Sequence, residues 1–455
     1  MTRRLFLGVG ASALAARRRM AAFQASDEAK EMTAILARIQ EPRFPGRAFD
    51  ITSYGAAPGG REDVTEAIAK AIAACSQAGG GRVVVPRGSF LTGPIHLRSN
   101  VNLHLEEGAT LLFSADPRHY LPVVYTRFEG TECMNYSPLI YAFEQTNIAV
   151  TGAGTLDGQA NDDNWWAWKS RASRQKLVEM GDKDVPVAQR VFGEGHYLRP
   201  NFFQPYRCQN VLVEGIGIRN SPMWELNPVL CRNVTVRGVK ISSHGPNNDG
   251  CDPECCTDVL IEQCVFDTGD DCIAIKSGRN RDGRRVGVPS ENIIVRDCRM
   301  KDGHGGVSLG SECSGGIRNV FIYHNTMDSP HLNNALRIKT NSFRGGVMEN
   351  VYFTNTEVGQ VSENVVEVTG FYPEGDDKQG RGGAYPPVIR NVAVRNVTSQ
   401  KSKRAVNLLG YENAPIVGIR LEHCTFNNVA ENDAIQYVRD LQMEDVKRNG
   451  KPMTR

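Results

Sequence analysis

One short phrase returns seven times between residues 210 and 394, each time an Asn or Asp followed by β-branched and other apolar residues. The copies are Asn210-Val211-Leu212-Val213, Asn233-Val234-Thr235-Val236, Asp258-Val259-Leu260-Ile261, Asn292-Ile293-Ile294-Val295, Asn319-Val320-Phe321-Ile322, Asn350-Val351-Tyr352-Phe353 and Asn391-Val392-Ala393-Val394. They begin 23 to 41 residues apart, with no helical pattern between them. A strand-forming repeat of that size points to a parallel β-helix rather than to leucine-rich or helical repeats. The leading Asn tolerates left-handed backbone, bonds neighbouring groups and stacks on its counterpart one coil away. A β-sandwich would need tight hairpins between strands, and Asn-Gly and Asp-Gly pairs are too few for that.

A solenoid core grows by stacking, so 455 residues fit one long domain, taken here as 26–455. Earlier strands, such as Val83-Val84-Val85 and Asn147-Ile148-Ala149-Val150, extend the stack towards the N-terminus. An open end of such a stack exposes bare backbone, and a helix starting at Asp63 is expected to cover it. Asp63 and Glu66 form a capping-box pattern, and Gly79-Gly80-Gly81 stops the helix. A second helix is expected over 27–40, with Ile35, Leu36 and Ile39 on one side.

Net charge is +2, so no global field attracts a polyanion and any acidic ligand must be held by local cations. Neither a nucleic-acid partner nor a membrane span is expected, and the sequence leaves the oligomeric state open. Twelve cysteines are present, several inside strand-like runs. Buried thiols are favoured over disulfides, and no zinc-ligand spacing occurs. Paired arginines in Thr2-Arg3-Arg4-Leu5-Phe6-Leu7, ahead of a short apolar run, resemble a twin-arginine export signal over 1–25 and imply a periplasmic or extracellular protein. An insertion at about 159–207 interrupts the strands with Trp165, Trp166, Trp168, Tyr197, Phe202 and Phe203. Those aromatics either stack on sugar rings or pack the insertion against the body.

Four reactive clusters fall between the repeats from 244 to 339: Asn247-Asn248-Asp249, Gly269-Asp270-Asp271, Gly303-His304-Gly305 and Arg337-Ile338-Lys339. Charged groups are costly to bury unpaired, so three Asp on neighbouring coils make a metal site, an acid/base site or exposed turns. Glycoside hydrolysis suits them: one carboxyl protonates the leaving oxygen while another deprotonates water. Crowding of Asp249, Asp270 and Asp271 would keep a proton available by like-charge repulsion. The glycines around His304 suggest that backbone comes close to a ligand. The loop 276–285 adds five cations, Arg284 among them, suited to carboxylates.

In that order, Asn-x-Asp-Gly, Gly-Asp-Asp-Cys, Gly-His-Gly and Arg-Ile-Lys resemble the pectin-degrading polygalacturonases of glycoside hydrolase family 28. The resemblance extends to Phe49-Asp50-Ile51-Thr52-Ser53-Tyr54-Gly55-Ala56 and Asn220-Ser221-Pro222-Met223-Trp224. It implies a right-handed parallel β-helix and an acidic polysaccharide substrate, pectin. It implies further that Asp270 is the general acid, that Asp249 and Asp271 hold and activate water, and that His304 supports the acid. Asn247 belongs to the first motif and is carried over as a substrate contact. Arg337 and Lys339 would grip the substrate carboxylate, with Tyr372 beside them. Asn248 departs from the usual Thr. Gly310-Ser311-Glu312 resembles exo-acting bacterial members, which marks Glu312 as a substrate contact.

The chemistry so implied needs no metal or cofactor. It is expected to proceed with inversion, which puts the acid about 6.5–9.5 Å from the water-activating carboxylates. A rhamnogalacturonan-type hydrolase, a calcium-dependent pectate lyase and a noncatalytic carbohydrate-binding β-helix stand as alternatives.

Overall fold

In the computed structural model, which describes residues 27–170 and 173–454, the seven phrases become successive rungs of one parallel sheet. The export signal expected over 1–25 lies outside the described residues. Val211, Val234, Val259, Ile293, Val320, Val351 and Val392 pair in register from rung to rung and are buried, as period-two alternation requires. This sheet has 13 strands, from Ala48–Asp50 to Val438–Glu444, and a second 13-stranded sheet faces it. A third sheet includes the strands Ile273–Ile275, Gly303–Gly310, Leu332–Lys339, Asn364–Thr369 and Arg404–Leu409. Isolated parallel bridges at Leu226, Cys251 and Ile273 join it to Phe203–Tyr206 and so to the N-terminal coils. Three sheets wound around one apolar column make a right-handed parallel β-helix.

The leading Asn of each phrase does what its chemistry allows. Asn210, Asn233, Asn292, Asn319, Asn350 and Asn391 all have φ between 56° and 59°. Each side-chain amide donates to the residue one coil earlier, as in Asn319 Nδ2 to Asn292 Oδ1 at 3.1 Å and Asn350 to Asn319 at 2.9 Å. Asp258 carries no N–H, so the chain of amides breaks between it and Asn233. The helix α1 (Asp27–Arg38) repairs the break: Arg38 donates to Asp258 Oδ1 at 2.9 Å and the Gln40 N–H to Asn233 Oδ1 at 3.1 Å. Using Gln40 in this way ends the helix two residues short of the expected boundary. Met32 and Ile35 of α1 pack on Leu260, Ile294, Phe321, Tyr352 and Ala393, the outward residues of five consecutive rungs.

Helix α2 (Thr65–Gln77) covers the N-terminal end of the stack, with Ile68, Ala71, Ile72 and Cys75 buried against the core. Its capping box does not form. The carboxylate of Asp63 accepts from Thr65 N at 2.8 Å, a local turn that starts the helix later, while Glu66 is left on the surface with Lys70. All twelve cysteines are buried free thiols. Sulfhydryls cap carbonyls one coil away, as Cys231 does to Pro205 O at 3.2 Å and Cys256 to Pro228 O at 3.1 Å. No described helix is long and apolar enough to cross a membrane.

The insertion folds as a 3-10 turn Trp165–Ser170, helix α3 (Ser173–Asp182) and a short strand, Val191–Phe192. Its aromatics pack mainly on one another and on the body: Trp165 is buried against Tyr120 and Trp168, and Trp168 meets Tyr197 edge to face at 5.3 Å.

Candidate active site

Residues on adjacent coils sit about one strand spacing apart, ~4.8 Å, and the third sheet turns the order of the motifs into an order in space. Gly250 N donates to Asp271 O, and His304 N to Asp270 O, each at 3.0 Å. Ser308, Arg337, Glu367 and Asn407 then form one outward column. Asp249, Asp270 and Asp271 each offer an oxygen within 4.8 Å of the other two. The gap of 6.5–9.5 Å expected for inversion is therefore not present between nearest oxygens: chain adjacency brings Asp271 close to Asp270, and coil spacing brings Asp249 close to both.

Each carboxylate has its own partner set. Asp270 Oδ1 lies 2.8 Å from His304 Nδ1. Asp271 accepts from Lys339 Nζ at 2.5 Å and from Ser308 Oγ at 2.9 Å, with Arg337 at 3.6 Å. Asp249 Oδ2 lies 3.7 Å from Lys276 Nζ, and its Oδ1 has no hydrogen-bond partner among the described residues. Arg337 donates Nε to Glu367 Oε2 at 2.9 Å, and the Tyr372 ring centre stands 5.3 Å from Lys339 Nζ. The glycines around His304 allow close packing on the Asp270 backbone and the Asp271 carboxylate. A Cβ on Gly303 would meet Asp270 O at 2.7 Å, and one on Gly305 would meet Asp271 Oδ1 at 2.9 Å.

Burial alone would raise Asp270, but the hydrogen bond from His304, then Lys339, outweighs it and holds its carboxyl below the usual range. The same bond raises His304. For Asp271, Lys339 and Arg337 overcome burial and keep it ionised. Asp249 goes the other way: burial, then Asp252 and Asp270, push it well above an ordinary carboxylate, and burial lifts Asp252 to about 8. The raised carboxyls are thus Asp249 and Asp252, and the lowered ones Asp270 and Asp271. The trio has the donor set of a cation site, yet Lys276, Lys339 and Arg337 already supply its positive charge.

Other sequence candidates lie further from this centre. Asn247 Oδ1 accepts from Arg199 at 2.7 Å, and Arg199 also donates to Pro222 O. Asn248, at the position of the usual Thr, is buried and fully bonded to Ser221 O, Met223 O, Ser243 and Gly245 N. Glu312 is buried 3.3 Å from Lys276 and 3.7 Å from Arg344. The cations of 276–285, expected to face substrate, are engaged within the protein. Part of the loop forms α4 (Asn280–Val286), with Arg279 on Glu129 and Glu374, Arg281 on Asp184 and Arg285 on Glu132. Arg284 donates to Phe343 O and stacks 3.6 Å from the Tyr385 ring centre. Sequence reasoning passed over Lys276 as a counter-ion, Asp252, Glu367 and the buried, unpartnered Glu225. Asp252 and Glu367 carried a usable signal, since each sits at an outward position of a strand or bridge in line with the motifs.

Proton donors and acceptors this close together, on the outer floor of a β-helix with cations on the next coils, define a glycoside hydrolase. Residues 75–445 match the family model described as glycosyl hydrolases family 28, and the chain belongs to that family. It is 29% identical over 417 residues to a probable polygalacturonase of Vitis vinifera, covering 89% of this chain and 78% of that one. It is 27% identical to an exo-poly-alpha-D-galacturonosidase of Dickeya chrysanthemi, over 78% of this chain and 62% of the other. Among solved structures, a hyperthermoactive exopolygalacturonase from Thermotoga maritima superposes with a TM-score of 0.90 at 46% identity, covering 94% of this chain and 97% of that one.

Proposed function

We propose that the protein hydrolyses α-1,4 linkages between galacturonic acid units of pectin, acting from a chain end and with inversion. The observation that carries the hydrolase reading is the trio Asp249, Asp270 and Asp271 within 4.8 Å of one another, with Arg337, Lys339 and Tyr372 on the following coils, whereas inversion follows the family resemblance and not this spacing. Asp270 donates the proton to the leaving oxygen, Asp249 and Asp271 hold the attacking water, and Arg337 and Lys339 receive a uronate carboxylate. That uronate also prepares the acid. It draws on the lysine that holds Asp270 down and displaces water from it, and both effects raise Asp270 towards protonation.

Action from a chain end is supported by the insertion. A cavity of about 230 Å³ lies between it and the first motif, lined among others by Trp168, Lys169, Arg174, Tyr197, Arg199 and Asn247. Aromatic faces and cations suit a single terminal uronate, and the Dickeya chrysanthemi and Thermotoga maritima relatives carry exo-acting names. Export through the twin-arginine route belongs to the same proposal, because the polymer lies outside the cell. Contact of Asn247, Glu312 and Arg284 with substrate belongs to the same proposal and requires each to exchange a partner it already holds within the protein.

Purified protein incubated with polygalacturonate, with and without a chelator, tests the reading. Reducing ends, saturated monomer or dimer from the start and a β-configured first product by proton NMR are expected, all insensitive to chelator. Unsaturated products absorbing in the ultraviolet, or a calcium requirement, would mean a lyase. Mid-length early products would remove the chain-end mode, an α-configured product would remove inversion, and inertness on this polymer with turnover of rhamnogalacturonan would change the substrate.

A further inference from the structure

Three cations serve the carboxylates of the cleft, and they are unequally shared. Asp271 has Lys339 at 2.5 Å and a share of Arg337, which also binds Glu367, and Asp270 has His304. Asp249 and Asp252 have only Lys276, at 3.7 and 3.6 Å. Neither Asp249 Oδ1 nor either oxygen of Asp252 finds a hydrogen bond among the described residues, so this one charge is their main compensation. Lys276 is in turn claimed by Glu312 at 3.3 Å.

Strand alternation puts the lysine there: Ile273 and Ile275 point into the core, and Lys276, bridged to Glu254 on the coil before, turns into the cleft. Its side chain is 3% exposed, with Nζ 4.4 Å from the Trp224 ring centre and 3.5 Å from Gly310 O. Asp270, Asp271, Glu254 and Lys339 complete the charged groups around it. Beyond Glu312 the charges alternate through Arg344, Glu374, Arg279, Glu129 and Arg174, which reaches the insertion helix.

We infer that Lys276 is a positioning residue for Asp249: its ammonium group is the counter-ion that Asp249 and Asp252 share, and Glu312 competes for it. Glu312 thereby tunes the water-activating carboxylate through Lys276. The inference rests on the reading of Asp249 as a water activator. Because Asp249 holds its proton to higher pH than Asp270, the productive form, with Asp270 protonated and Asp249 ionised, is a minor population between the two titrations. The alkaline limb of the kcat/KM profile then follows Asp249, and the plateau falls as the two titrations move apart.

The test compares Lys276→Met, Lys276→Arg and Glu312→Gln for kcat/KM on polygalacturonate across pH. In parallel, an infrared difference titration of wild type against Asp249→Asn, made in each background, follows the Asp249 carboxyl directly. Lys276→Met is expected to move the alkaline limb and the infrared midpoint up by about one pH unit and to lower the plateau about tenfold. Lys276→Arg restores both, and Glu312→Gln shifts them in the opposite direction. A uniform loss at every pH with both limbs in place, or shifts of the same sign for Lys276→Met and Glu312→Gln, would overturn the inference. If Lys276→Met does not fold, the sign of the Glu312→Gln shift decides. If wild type leaves polygalacturonate intact, the hydrolase reading fails while the infrared midpoints still judge the counter-ion.

Discussion

Replacing Asn319 separates the two physical reasons for an Asn at every turn of the first sheet. Its Nδ2 donates to Asn292 at 3.1 Å, its Oδ1 accepts from Asn350 at 2.9 Å, and its φ is 56°. Asn319→Ala removes both bonds, about 1 kcal/mol each, and forces an alanine into left-handed backbone at a further cost of about 1–2 kcal/mol. The expected loss is about 3–4 kcal/mol. Asn319→Gly loses the same bonds but adopts the angle freely, so it should recover about 1 kcal/mol, the gain being limited by the glycine's unfolded-state entropy. Guanidinium unfolding followed by circular dichroism reads both midpoints, with unchanged m values showing that the same surface unfolds. An alanine variant within about 1 kcal/mol of wild type, or one as stable as the glycine variant, would refute this account of the stack.

Asp270→Asn should leave the melting profile near that of wild type and lower turnover on polygalacturonate by a factor of about 10²–10⁴, measured as reducing ends; near-normal turnover would take Asp270 out of the acid's role. Arg127 is fully buried 3.1 Å from Glu254 and 3.7 Å from Glu132. Arg127→Met leaves two carboxylates without their shared cation and should cost about 3–5 kcal/mol by denaturant titration, most of it recovered when Glu254→Gln is added.

The architecture was legible because a solenoid writes its period into the chain. Seven Asn or Asp phrases announced the first sheet, and the structure returns each at its turn with the expected left-handed angle. Buried thiols were readable for the same reason, since Cys231, Cys264 and Cys298 fall at fixed points of the repeat. What remained hidden depends on loops that leave the repeat. Arg127 and Glu254 are 127 positions apart and meet only because a hairpin folds over the cleft. The cations of 276–285 read as ligands for a uronate because their partners Glu129, Glu132, Asp184 and Glu374 sit in distant loops. The four motifs marked carboxylates and cations that the structure brings together, yet the carboxylate separation was misjudged. A mechanism's usual distance was applied where chain adjacency and coil spacing already dictate a shorter one.

Helix α1 gives the stack a property that stacked coils alone do not have. In a plain solenoid each coil feels only its neighbours, and an opening at one interface leaves distant ones unchanged. A rigid rod seated on five rungs, tied to Asp258 at one end and to Arg395 through Glu28 at the other, makes those rungs share any displacement. Asp270, Asp271, His304, Arg337 and Lys339 lie between those two ends, and Asp249 lies on the coil before them. The rod acts as a splint on these rungs: the coils that carry Asp270, Asp271, His304 and Arg337 open together or not at all, while the coils past Arg420, which also meets Glu28, remain free to fray one by one.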